Sequence, residues 1–569
     1  MSEPDTPSRA GQLNADQRAA AIVSLRSHTL DVLVIGGGIV GAGAALDAAS
    51  RGLHVGIIEA HDWASGTSSR SSKLVHGGIR YLERLEFKLV REALIERGLL
   101  LTELAPHLVK PVPFLYPVRI PIIERAYIGA GMLLYDLLSY SGGRRPGVGL
   151  HRHITRRQLR RQMPSLSPNA TRGGLRYFDG QVDDARLVAT IVRTAVSAGA
   201  VAASRMEAVA IRDGGSKSHT VVARDGETGE LFEIRARAIV NATGVWTAES
   251  QDLLGAPTAL GVTMSKGVHI VVGRDRFRSE LGLILRAGKS VLFVIPWGQS
   301  WIIGTTDTPW HFDKSNPAAT ATDIDYLLAQ VNRVLETPIA REDIRAVYAG
   351  LRPLVSGRAG STAQLSREHV VDVPAPGIAV VAGGKLTTYR IMARDAVSAA
   401  VKGRLIAQPS RTEHYPLIGA RGLAAANRTA IELVRSYGLP EPLAERLLGR
   451  YGDRLDEVLQ PVQADPSLGA EIAHGGGAIL AEASYAVTHE GALHLQDVLE
   501  RRLRVSIESS DFGLAAAAEV ALLMAQQLGW DDVKTSDELA SYRLLIEQQR
   551  EAMDLRDDES ANACMTALA

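Results

Sequence analysis

The stretch DVLVIGGGIVGAGAALDAASRGLHVGIIEA, residues 31–60, decides the fold. It opens with DVLVI, a short run rich in β-branched residues that predicts a buried parallel strand. The Ala-rich residues that follow predict a helix ending near Gly52, and HVGIIEA predicts a second strand. Between the first strand and the helix, Gly36, Gly38 and Gly41 fit the G-x-G-x-x-G pattern. The stretch therefore predicts a βαβ unit that binds a dinucleotide.

Each part of this unit has a physical role in holding such a ligand. The first glycine allows the tight turn, the second lets the backbone approach a pyrophosphate, and the third lets helix and strand pack closely. The helix N-terminus offers N–H groups and a positive dipole to the phosphates. Glu59, at the end of the second strand, can accept hydrogen bonds from ribose hydroxyls and repels a 2′-phosphate, which disfavours NADP. NAD and FAD both remain open at this point.

Composition narrows the class of protein. The chain has 569 residues, enough for two or more domains, and its 63 Lys and Arg balance 63 Asp and Glu, so charge gives no case for nucleic-acid binding. The single cysteine, Cys564, excludes a disulfide framework and a CxxC redox pair. The sequence contains no run of 18 apolar residues, so we predict no spanning helix. The most apolar stretch, residues 126–138, predicts a buried helix, with an interfacial contact as the alternative.

The pattern of strands and helices predicts a mixed α/β fold followed by an all-helical domain. Strand and helix patterns alternate up to about residue 400, and only helical periodicity follows from Gly419 onward. We predict a Rossmann-like dinucleotide domain interleaved with a β-sheet substrate domain. The boundaries are an N-terminal extension at 1–29 with Asn14 and Gln17 spaced like a capping box, the α/β body at 30–405, a linker at 406–418, the helical domain at 419–555 and a disordered tail at 556–569.

Two later segments decide between NAD and FAD. ARAIVNATGVW, residues 236–246, predicts a strand that ends in small residues, beneath which a cofactor can pass. VAGGKLTTYR, residues 381–390, predicts another strand, a pair of glycines and a helix start whose N–H groups can face a ligand. An NAD site needs neither segment, whereas the longer FAD reaches from the first βαβ unit to a distant helix N-terminus. The two segments therefore favour FAD.

These and further segments resemble the FAD-dependent glycerol-3-phosphate dehydrogenases, within the flavoenzymes related to D-amino-acid oxidase. The matching segments are VIGGGIVGAGAALDAASRGL (34–53), GTSSRSSKLVHGGIRYLE (66–83), VDDARLV (182–188), NATGVW (241–246), KGVHIVV (266–272), FVIPW (293–297), IIGTTDT (302–308), GLRPLV (350–355), AGGKLTTYR (382–390) and EGALHLQDVLERR (490–502). The resemblance implies FAD as cofactor, oxidation of glycerol 3-phosphate at C2 to dihydroxyacetone phosphate, and a membrane quinone as acceptor. It also implies a cytoplasmic protein in peripheral contact with the inner face of the cell membrane.

The resemblance also implies which residues line the cofactor. We expect FAD to run along Gly36, Gly38, Gly41, Glu59, Thr67, Ser68, Ser71, Ser72, Leu74, His76, Gly77, Ala242, Gly244, Gly384, Lys385, Leu386 and Thr387. A second strand-linked G-x-G-x-x-G is missing from the sequence, as is a second cysteine, so a flavin disulfide reductase is excluded. Electrons must then enter from a substrate and leave to a visiting acceptor.

The substrate phosphate calls for cationic side chains. Arg80, Arg352 and Arg367 are the candidates, because a guanidinium can donate two parallel hydrogen bonds to a phosphate. Tyr81 and Lys385 are supporting donors, and Lys385 can also stabilise charge on the reduced flavin. Among residues expected at the substrate, Asp307 either orients a catalytic group or caps a turn.

A base must take the proton of the C2 hydroxyl. We predict His76, because the two glycines after it allow it to lie against the flavin, with His269 as the second candidate. With Arg352 and Lys385, these two histidines form the predicted catalytic set. His151 and His153 form an H-x-H without an evident acidic or Cys partner, so we predict a loop there and no metal site.

Two rival functions remain at this stage. One is a soluble flavin oxidase that acts on a related phosphorylated polyol, amino acid or hydroxy acid and uses O2. The other is a flavin-binding protein without turnover. Oligomeric state, with a homodimer as one candidate, and covalent or non-covalent attachment of FAD are open as well.

Overall fold

Two β-sheets form the body of the molecule in the computed structural model, which describes residues 11–120, 122–212, 218–253, 260–287, 290–356 and 369–566. The strands are β1 Thr29–Ile35, β2 Val55–Ile58, β3 Leu74–Val75, β4 Lys110–Pro117, β5 Arg152–Thr155, β6 Gly173–Gln181, β7 Val201–Ala203, β8 Met206–Arg212, β9 His219–Asp225, β10 Leu231–Asn241, β11 Gly261–Gly273, β12 Gly282–Ala287, β13 Ser290–Trp297, β14 Ser300–Gly304, β15 Thr308–Trp310, β16 Ile344–Ser356, β17 His369–Ala375 and β18 Ile378–Gly383. The helices are α1 Ala15–Ser27, α2 Ile39–Ser50, α3 Phe87–Leu99, α4 Ile123–Tyr140, α5 Arg156–Gln162, α6 Asp184–Ser197, α7 Thr247–Asp252, α8 Ala321–Asn332, α9 Tyr389–Val401, α10 Leu423–Ser436, α11 Pro442–Tyr451, α12 Leu455–Ala464, α13 Leu480–His489, α14 Val505–Glu508, α15 Leu514–Leu528, α16 Asp532–Asp554 and α17 Asp558–Thr566.

The first sheet is the predicted Rossmann-like sheet. Its central order is β17-β18-β10-β1-β2-β7, and β18, β10, β1, β2 and β7 run parallel. The apolar side chains of these strands are buried, and helices α2, α6 and α9 pack against them. Strands β1, β10 and β18 were each predicted from an apolar run, and their carboxyl ends meet at one edge of the sheet.

The second sheet is mostly antiparallel. Its order is β15-β11-β14-β13-β12-β4-β6-β3, with β16 paired to β11 and β5 paired to β6. Strands β11 and β16 are long and pair over almost their whole length, so that His269 lies opposite Tyr348 and Ser265 opposite Arg352. This register brings residues about 80 positions apart in sequence to one face of the sheet.

The N-terminal extension contains the predicted helix but not the full capping box. Asn14 Oδ1 accepts a hydrogen bond from the Gln17 backbone N at 2.8 Å. The Gln17 side chain donates instead to the carbonyl of Ala202 at 3.1 Å, so it is not available to cap Asn14 in return. The capping-box prediction is therefore half right, because a contact with the body replaces the second bond.

The C-terminal domain is helical, as predicted, but residues 491–505, whose periodicity also predicts a helix, do not form one regular helix. Residues 491–494 are not helical, and Asp497–Arg502 is in the wide π form. Asp497 Oδ2 accepts from the backbone N of Leu493 and of His494, both at 3.0 Å, and so holds the preceding residues in a turn. The helical periodicity was read correctly for α10, α11, α15 and α16, and wrongly across this turn.

The prediction of a disordered tail is wrong. Residues 558–566 form α17, in which Ala561 is fully buried and Met565 is nearly so. These two side chains pack with Ala318 and Ala552. Asp558 also pairs with Lys266, a buried lysine of β11 that contacts Asp323 of α8 as well. A polar composition concealed this helix, because its stability comes from a contact with the body.

Buried ion pairs join the C-terminal domain to the body. Arg501 Nε lies 2.6 Å from Asp62 Oδ2, and Arg502 Nη2 lies 2.7 Å from Asp62 Oδ1. Arg186 of α6 makes a two-point contact with Glu490, at 2.8 and 3.0 Å. All five side chains are buried. Removal of one partner from such a pair would leave the other charge buried and unpaired, which is strongly unfavourable.

Across the residues that are described, no helix has both the length and the apolar character needed to cross a bilayer.

His494 provides a pH-dependent link between the same two parts of the molecule. Its Nδ1 lies 2.7 Å from Glu538 of α16, and its Nε2 lies 2.9 Å from Glu227 in the turn between β9 and β10. Burial alone lowers the pKa of His494, but hydrogen bonds to the two carboxylates outweigh it and raise the pKa to about 9.

We predict that this link stabilises the fold by up to about 3 kcal/mol at pH 6. The stabilisation is fully present below the unfolded-state pKa of about 6.5, and it is lost as the pH rises through the folded-state pKa of about 9. His494→Gln should lower the thermal midpoint at about pH 6 and have little effect at about pH 10. His474→Gln, at a solvent-exposed histidine that lies 3.5 Å from a carboxylate, is the control. If the difference in thermal midpoint between wild type and His494→Gln is the same at about pH 6 and at about pH 10, the assignment of this link to His494 is wrong.

Candidate active site

A cavity of about 480 Å³ opens at the edge where β1, β10 and β18 end. Its size lies within the range usual for a small-molecule or cofactor site. The predicted cofactor residues that line it are Gly36, Gly38, Glu59, Thr67, Ser68, Ala242, Gly244, Gly384, Lys385 and Leu386. Three segments that are remote in sequence therefore contribute to one cavity.

The glycine turn brings backbone against backbone at two of its glycines. Gly36 has φ +108°, which L side chains rarely adopt, and a Cβ there would lie 2.6 Å from the carbonyl oxygen of Ala242. A Cβ at Gly41 would lie 1.8 Å from the carbonyl oxygen of Gly36. Gly38 is the N-cap of α2 and lines the cavity. Gly36 and Gly41 thus give the tight turn and the close packing expected from their spacing, and the approach of Gly38 to a pyrophosphate stays a prediction.

Glu59 and Ser68 organise the mouth of this turn. Glu59 Oε2 accepts from the backbone N of Gly37 at 2.6 Å, and its carboxylate lines the cavity. Burial raises the pKa of the Glu59 carboxyl. Ser68 Oγ accepts from the backbone N of Ile39 at 3.0 Å, in the first turn of α2. Both side chains lie at the N-terminal end of α2, where a dinucleotide's ribose and phosphates would bind.

The segment from Thr67 to His76 runs from the cavity into the second sheet, where Leu74–Val75 forms β3. Ser72 Oγ lies 2.8 Å from His269 Nε2, whereas Ser71 Oγ donates to Asp184 Oδ2 at 2.6 Å. Leu74 is buried in the core of the second sheet. Ser71 and Leu74 therefore support the shape of the segment through contacts with protein, and any contact of theirs with a cofactor would be through the backbone.

His76 is fixed through its backbone. Thr387 Oγ1 accepts from the His76 backbone N at 3.0 Å and donates to the His76 carbonyl at 3.2 Å, so the 3-10 turn just before α9 holds the backbone of His76 in place. Gly77 N donates to Tyr135 Oη at 3.0 Å. The His76 ring lies edge-on to Phe293 of β13, with the ring centres 6.5 Å apart.

A first cationic group lies just after this turn. The Lys385 ammonium lies 3.9 Å from the centre of the Tyr81 ring, and the Arg80 guanidinium carbon lies 5.9 Å from the same centre. Gly78 has φ +76°, and a Cβ there would come within 3.5 Å of Lys385 Nζ. Arg80, Tyr81 and Lys385, which were predicted together, are therefore neighbours.

A second cationic group lies on β16. Arg352 Nη2 donates to Thr305 Oγ1 at 2.9 Å, and Nη1 donates to the Thr306 carbonyl at 3.2 Å. Asp307 Oδ1 lies 3.5 Å from Arg352 Nη1, which favours the orienting role over the turn cap. Gly267 lets the guanidinium pass, since a Cβ there would lie 2.4 Å from Arg352 Nη2. Arg367 lies outside the residues that the structure describes.

His269 lies beside this second group and is buried. Its ring stacks on Tyr348 with the ring centres 4.7 Å apart. Burial, and after it the charges of Arg352 and Lys73, hold the pKa of His269 well below its usual value. The ring is therefore neutral near pH 7. Its Nδ1 is buried and makes no hydrogen bond within the described part of the chain.

The prediction of a loop at the H-x-H stretch is wrong. His153 belongs to β5, which pairs with β6. His151 Nδ1 lies 2.7 Å from Asp136 Oδ2, so this histidine does have an acidic partner, supplied by α4. In the described residues no three His, Cys, Asp or Glu side chains come together in a way that could hold a metal ion.

Sequence reasoning missed several residues that shape the site. Phe293, Tyr348 and Gly267 contact predicted residues, and Pro353 and Trp246 line the cavity. All except Tyr348 lie in segments that carried the family resemblance. Position in a matched segment was thus a usable signal for them, while Tyr348 enters only through the pairing of β11 with β16.

Two family models match the chain. The model described as FAD dependent oxidoreductase matches residues 31–396. The model described as C-terminal domain of alpha-glycerophosphate oxidase matches residues 410–535. The first match contains both sheets and the cavity, and the second contains most of the helical domain.

Similar proteins are known along nearly the whole chain. Glycerol-3-phosphate dehydrogenase 2 of Mycobacterium tuberculosis is 50% identical over 556 residues, which are 97% of this chain and 94% of that protein. The human mitochondrial glycerol-3-phosphate dehydrogenase is 35% identical over 572 residues, covering 96% of this chain and 76% of that protein. The solved structure of a glycerol-3-phosphate dehydrogenase from Bacillus halodurans, complexed with FAD, has a TM-score of 0.78 at 28% identity and covers 96% of this chain and 100% of that one.

The close approach at Gly41 yields a test of the cavity. We predict that Gly41→Ala forces α2 away from the turn at Gly36, at a cost of about 1–3 kcal/mol. If that cost falls on the bound state, affinity for FAD drops roughly 5- to 150-fold. The measurement is FAD content of the purified protein and titration of the apoprotein. Gly449→Ala, at a helical glycine with open space around it, is the matched control. Equal FAD affinity in Gly41→Ala and wild type would show that the turn is not part of the cofactor site.

Proposed function

Since the chain belongs to the family of FAD-dependent oxidoreductases, we propose that it oxidises sn-glycerol 3-phosphate at C2 and passes the electrons to a quinone. The product is dihydroxyacetone phosphate. The 50% identity to a protein named glycerol-3-phosphate dehydrogenase, over nearly the full length of both chains, supports this choice of substrate.

One observation carries the proposal at the level of the site. Each of two cationic groups has a predicted histidine beside it: Arg80 and Lys385 lie at the turn that follows His76, and Arg352 with its partner Asp307 lies beside His269. Gly304 of β14 connects the two histidines through its strand neighbours. It pairs with His269 of β11 on one side and with Phe293 of β13 on the other, and the Phe293 ring meets the ring of His76. A dianionic phosphate with a neighbouring secondary alcohol fits such a site, since the cations can hold the phosphate while a histidine meets the hydroxyl.

The protein's share of the chemistry is binding and proton transfer. FAD, when bound, supplies the hydride acceptor at N5 of its ring. The arginines and Lys385 hold the phosphate through charge-assisted bonds, each worth roughly 1.5–3 kcal/mol. C2 gives up a hydride, its oxygen gives up a proton to His76, and the secondary alcohol becomes a ketone. The two electrons and the protons then leave together with the reduced quinone.

His76 is preferred over His269 as the base for a geometric reason. The His269 Nε2 is already engaged by Ser72 Oγ at 2.8 Å, and its ring is enclosed by Tyr348 and Gly304. The backbone of His76 is fixed by Thr387, and its ring lies edge-on to Phe293. His76 is therefore the proposed base, since His269 would first have to give up its contact with Ser72.

The quinone is proposed to arrive from a membrane that α4 contacts. One face of α4 packs into the body through Ile128, Met132 and Tyr135. The other face is apolar and exposed, with the most exposed large side chains at Ile122 and Ile123, 81% and 77% exposed, followed by Tyr127, Leu137, Leu133 and Tyr140. The sequence favoured a fully buried helix here, and the exposed face supports the interfacial alternative.

A lipid surface is the occupant that fits this face. The exposed Arg119 and Arg145 lie beyond its two ends, where they can meet anionic headgroups. Tyrosines on the face suit the headgroup region. Tyr135, on the buried side, accepts a hydrogen bond from Gly77 N at 3.0 Å. The exposed face is therefore only about one helix diameter, roughly 10 Å, from the turn that carries His76.

We predict that glycerol 3-phosphate bleaches the bound flavin under anaerobic rapid mixing, whereas glycerol and D-amino acids do not. His76→Asn should keep its FAD and slow this reduction at least about a hundredfold, because a general base contributes roughly 10²–10⁴. Reoxidation of the reduced variant by a quinone should be nearly unaffected. His269→Asn is the comparison variant.

Three results would change the assignment. Loss of FAD in His76→Asn with a normal rate per bound flavin would make His76 a cofactor ligand. Bleaching by an amino or hydroxy acid would favour the related oxidases, and reoxidation that is faster with O2 than with a quinone would replace the quinone in the proposal. An absence of bleaching by every substrate would favour a flavin-binding protein without turnover.

The membrane contact has its own prediction. Leu133→Glu with Leu137→Glu should reduce flotation with anionic vesicles at least about tenfold, since each exposed leucine contributes roughly 1.5–3 kcal/mol when buried. Wild-type flotation should persist at high salt, because the contact is mainly apolar. Leu231→Glu with Leu522→Glu is the matched control, as these leucines are 59% and 60% exposed on other elements. Unchanged flotation of the α4 double variant would place the membrane contact elsewhere.

A further inference from the structure

Two segments that carry the family resemblance have no part in the proposed reaction. VDDARLV, residues 182–188, contains Asp184, and EGALHLQDVLERR, residues 490–502, ends two residues before Arg504. The structure brings Asp184 and Arg504 together beside the segment 69–75, which leads to His76. We infer that Arg504 and Asp184 are positioning residues for flavin reduction. This inference rests on the proposed function and goes beyond it, because it gives the C-terminal domain a role in the active site.

Asp184 is the hub of the arrangement. Its carboxylate is fully buried at the start of α6. Oδ2 accepts from both the backbone N and the Oγ of Ser71, at 2.9 and 2.6 Å. Oδ1 accepts from Lys73 Nζ at 2.9 Å. One carboxylate thus fixes two residues of the segment, through a backbone group as well as side chains.

Arg504 completes the hub from the other domain. It donates to Asp184 Oδ1 and, from Nε, to Asp183 Oδ1 at 2.9 Å. Its Nη1 donates to the carbonyl of Ser69 at 3.1 Å. Lys73 Nζ donates to the same carbonyl at 3.2 Å. The C-terminal domain therefore contacts the backbone of the active-site segment directly.

The backbone at this hub is held in an unfavourable conformation. Lys73 has φ +57° and Arg504 has φ +68°, both in the left-handed region that favours glycine. Residues that carry a Cβ adopt this conformation at an energetic cost, and they keep it only where contacts with their surroundings hold them there. Lys73 and Arg504 each form an ion pair with Asp184, and these ion pairs hold both residues in the left-handed conformation. Such geometry is typical of segments whose exact path matters for function.

The position of the segment determines the position of the catalytic candidates. Ser72, between the two anchored residues, meets His269 Nε2 at 2.8 Å. Tyr348 Oη donates to the Ser71 carbonyl at 3.0 Å while its ring stacks on His269. The short strand β3, Leu74–Val75, comes next in the chain, and His76 follows it directly. A shift of the segment would therefore move both histidines relative to the substrate.

A positioning role can be separated from a purely structural one. The variants are Arg504→Met, Arg504→Lys and Asp184→Asn, made in the full-length FAD-bound protein. The matched control is Arg205→Met. Arg205 also has a left-handed backbone, with φ +54°, and pairs across the domain boundary with Asp497 at 2.7 Å, but none of its described hydrogen bonds reaches residues 69–75.

Two measurements are made on each variant. The first is the rate of anaerobic flavin reduction by saturating glycerol 3-phosphate, per bound flavin. The second is the visible circular dichroism of the oxidised flavin, which needs no substrate. We expect Arg504→Met and Asp184→Asn to slow reduction between about tenfold and a hundredfold, as a misplacement of about 1 Å can do. Arg504→Lys should recover part of the rate, and Arg205→Met should keep the wild-type rate and spectrum even if its thermal midpoint falls.

Wild-type rates per flavin in both Arg504→Met and Asp184→Asn would overturn the inference, whatever their stability. If Arg504→Met does not yield folded holoenzyme, Asp184→Asn, which preserves the side-chain shape, decides in the same way. If glycerol 3-phosphate fails to reduce even the wild type, the proposed function is wrong, and the dichroism then decides on positioning alone. Spectra that change in the two hub variants but not in Arg205→Met support it, and unchanged spectra overturn it.

Discussion

The pairing of Asp62 with Arg501 and Arg502 is the contact on which the assembly of this molecule depends. Asp62 lies in the loop after β2, next to Trp63, whose ring packs against the glycine turn at Gly37. The two arginines come from the C-terminal domain. Buried ion pairs add little net stability, but removal of one partner costs about 3–5 kcal/mol. The pairing thus specifies one docking geometry, and it fixes the loop beside the cofactor cavity in the same step.

The site follows from that docking and from the second sheet. The first sheet supplies the cavity for a dinucleotide, and the second sheet supplies Arg352 and His269 through the long pairing of β11 with β16. The segment 67–76 runs from the cavity into the second sheet and is anchored by residues of both domains. Because no single segment makes the site, each group depends on contacts made far from it in sequence. Helix α4 joins the same arrangement through Tyr135 and Gly77.

Local pattern was enough to predict the Rossmann-like unit, with strands β1, β2, β10 and β18, and the all-helical domain. The glycine spacing also predicted Gly36 and Gly41 correctly as points of close backbone contact, since that geometry is set within 30 residues. Features set by distant partners escaped prediction. Helix α17 is stabilised by its contacts with Lys266 and Ala318 of the body. The turn before Asp497 is held by the Asp497 carboxylate. Neither contact produces a periodic pattern in the sequence. Likewise, the sequence marked the segment around Asp184 as a family match but not as a partner of Arg504, 320 positions away.

We propose that the two cationic groups and the two histidines form one site for a phosphorylated secondary alcohol. A crystal structure of the FAD-bound protein with glycerol 3-phosphate or its ketone product would test this arrangement. We expect the phosphate on Arg352, Arg80 or Lys385, the C2 oxygen within hydrogen-bond distance of His76, and C2 about 3–3.5 Å from the flavin N5. A phosphate that lies away from both cationic groups, or a C2 oxygen that contacts neither histidine, would show that these residues do not form the site.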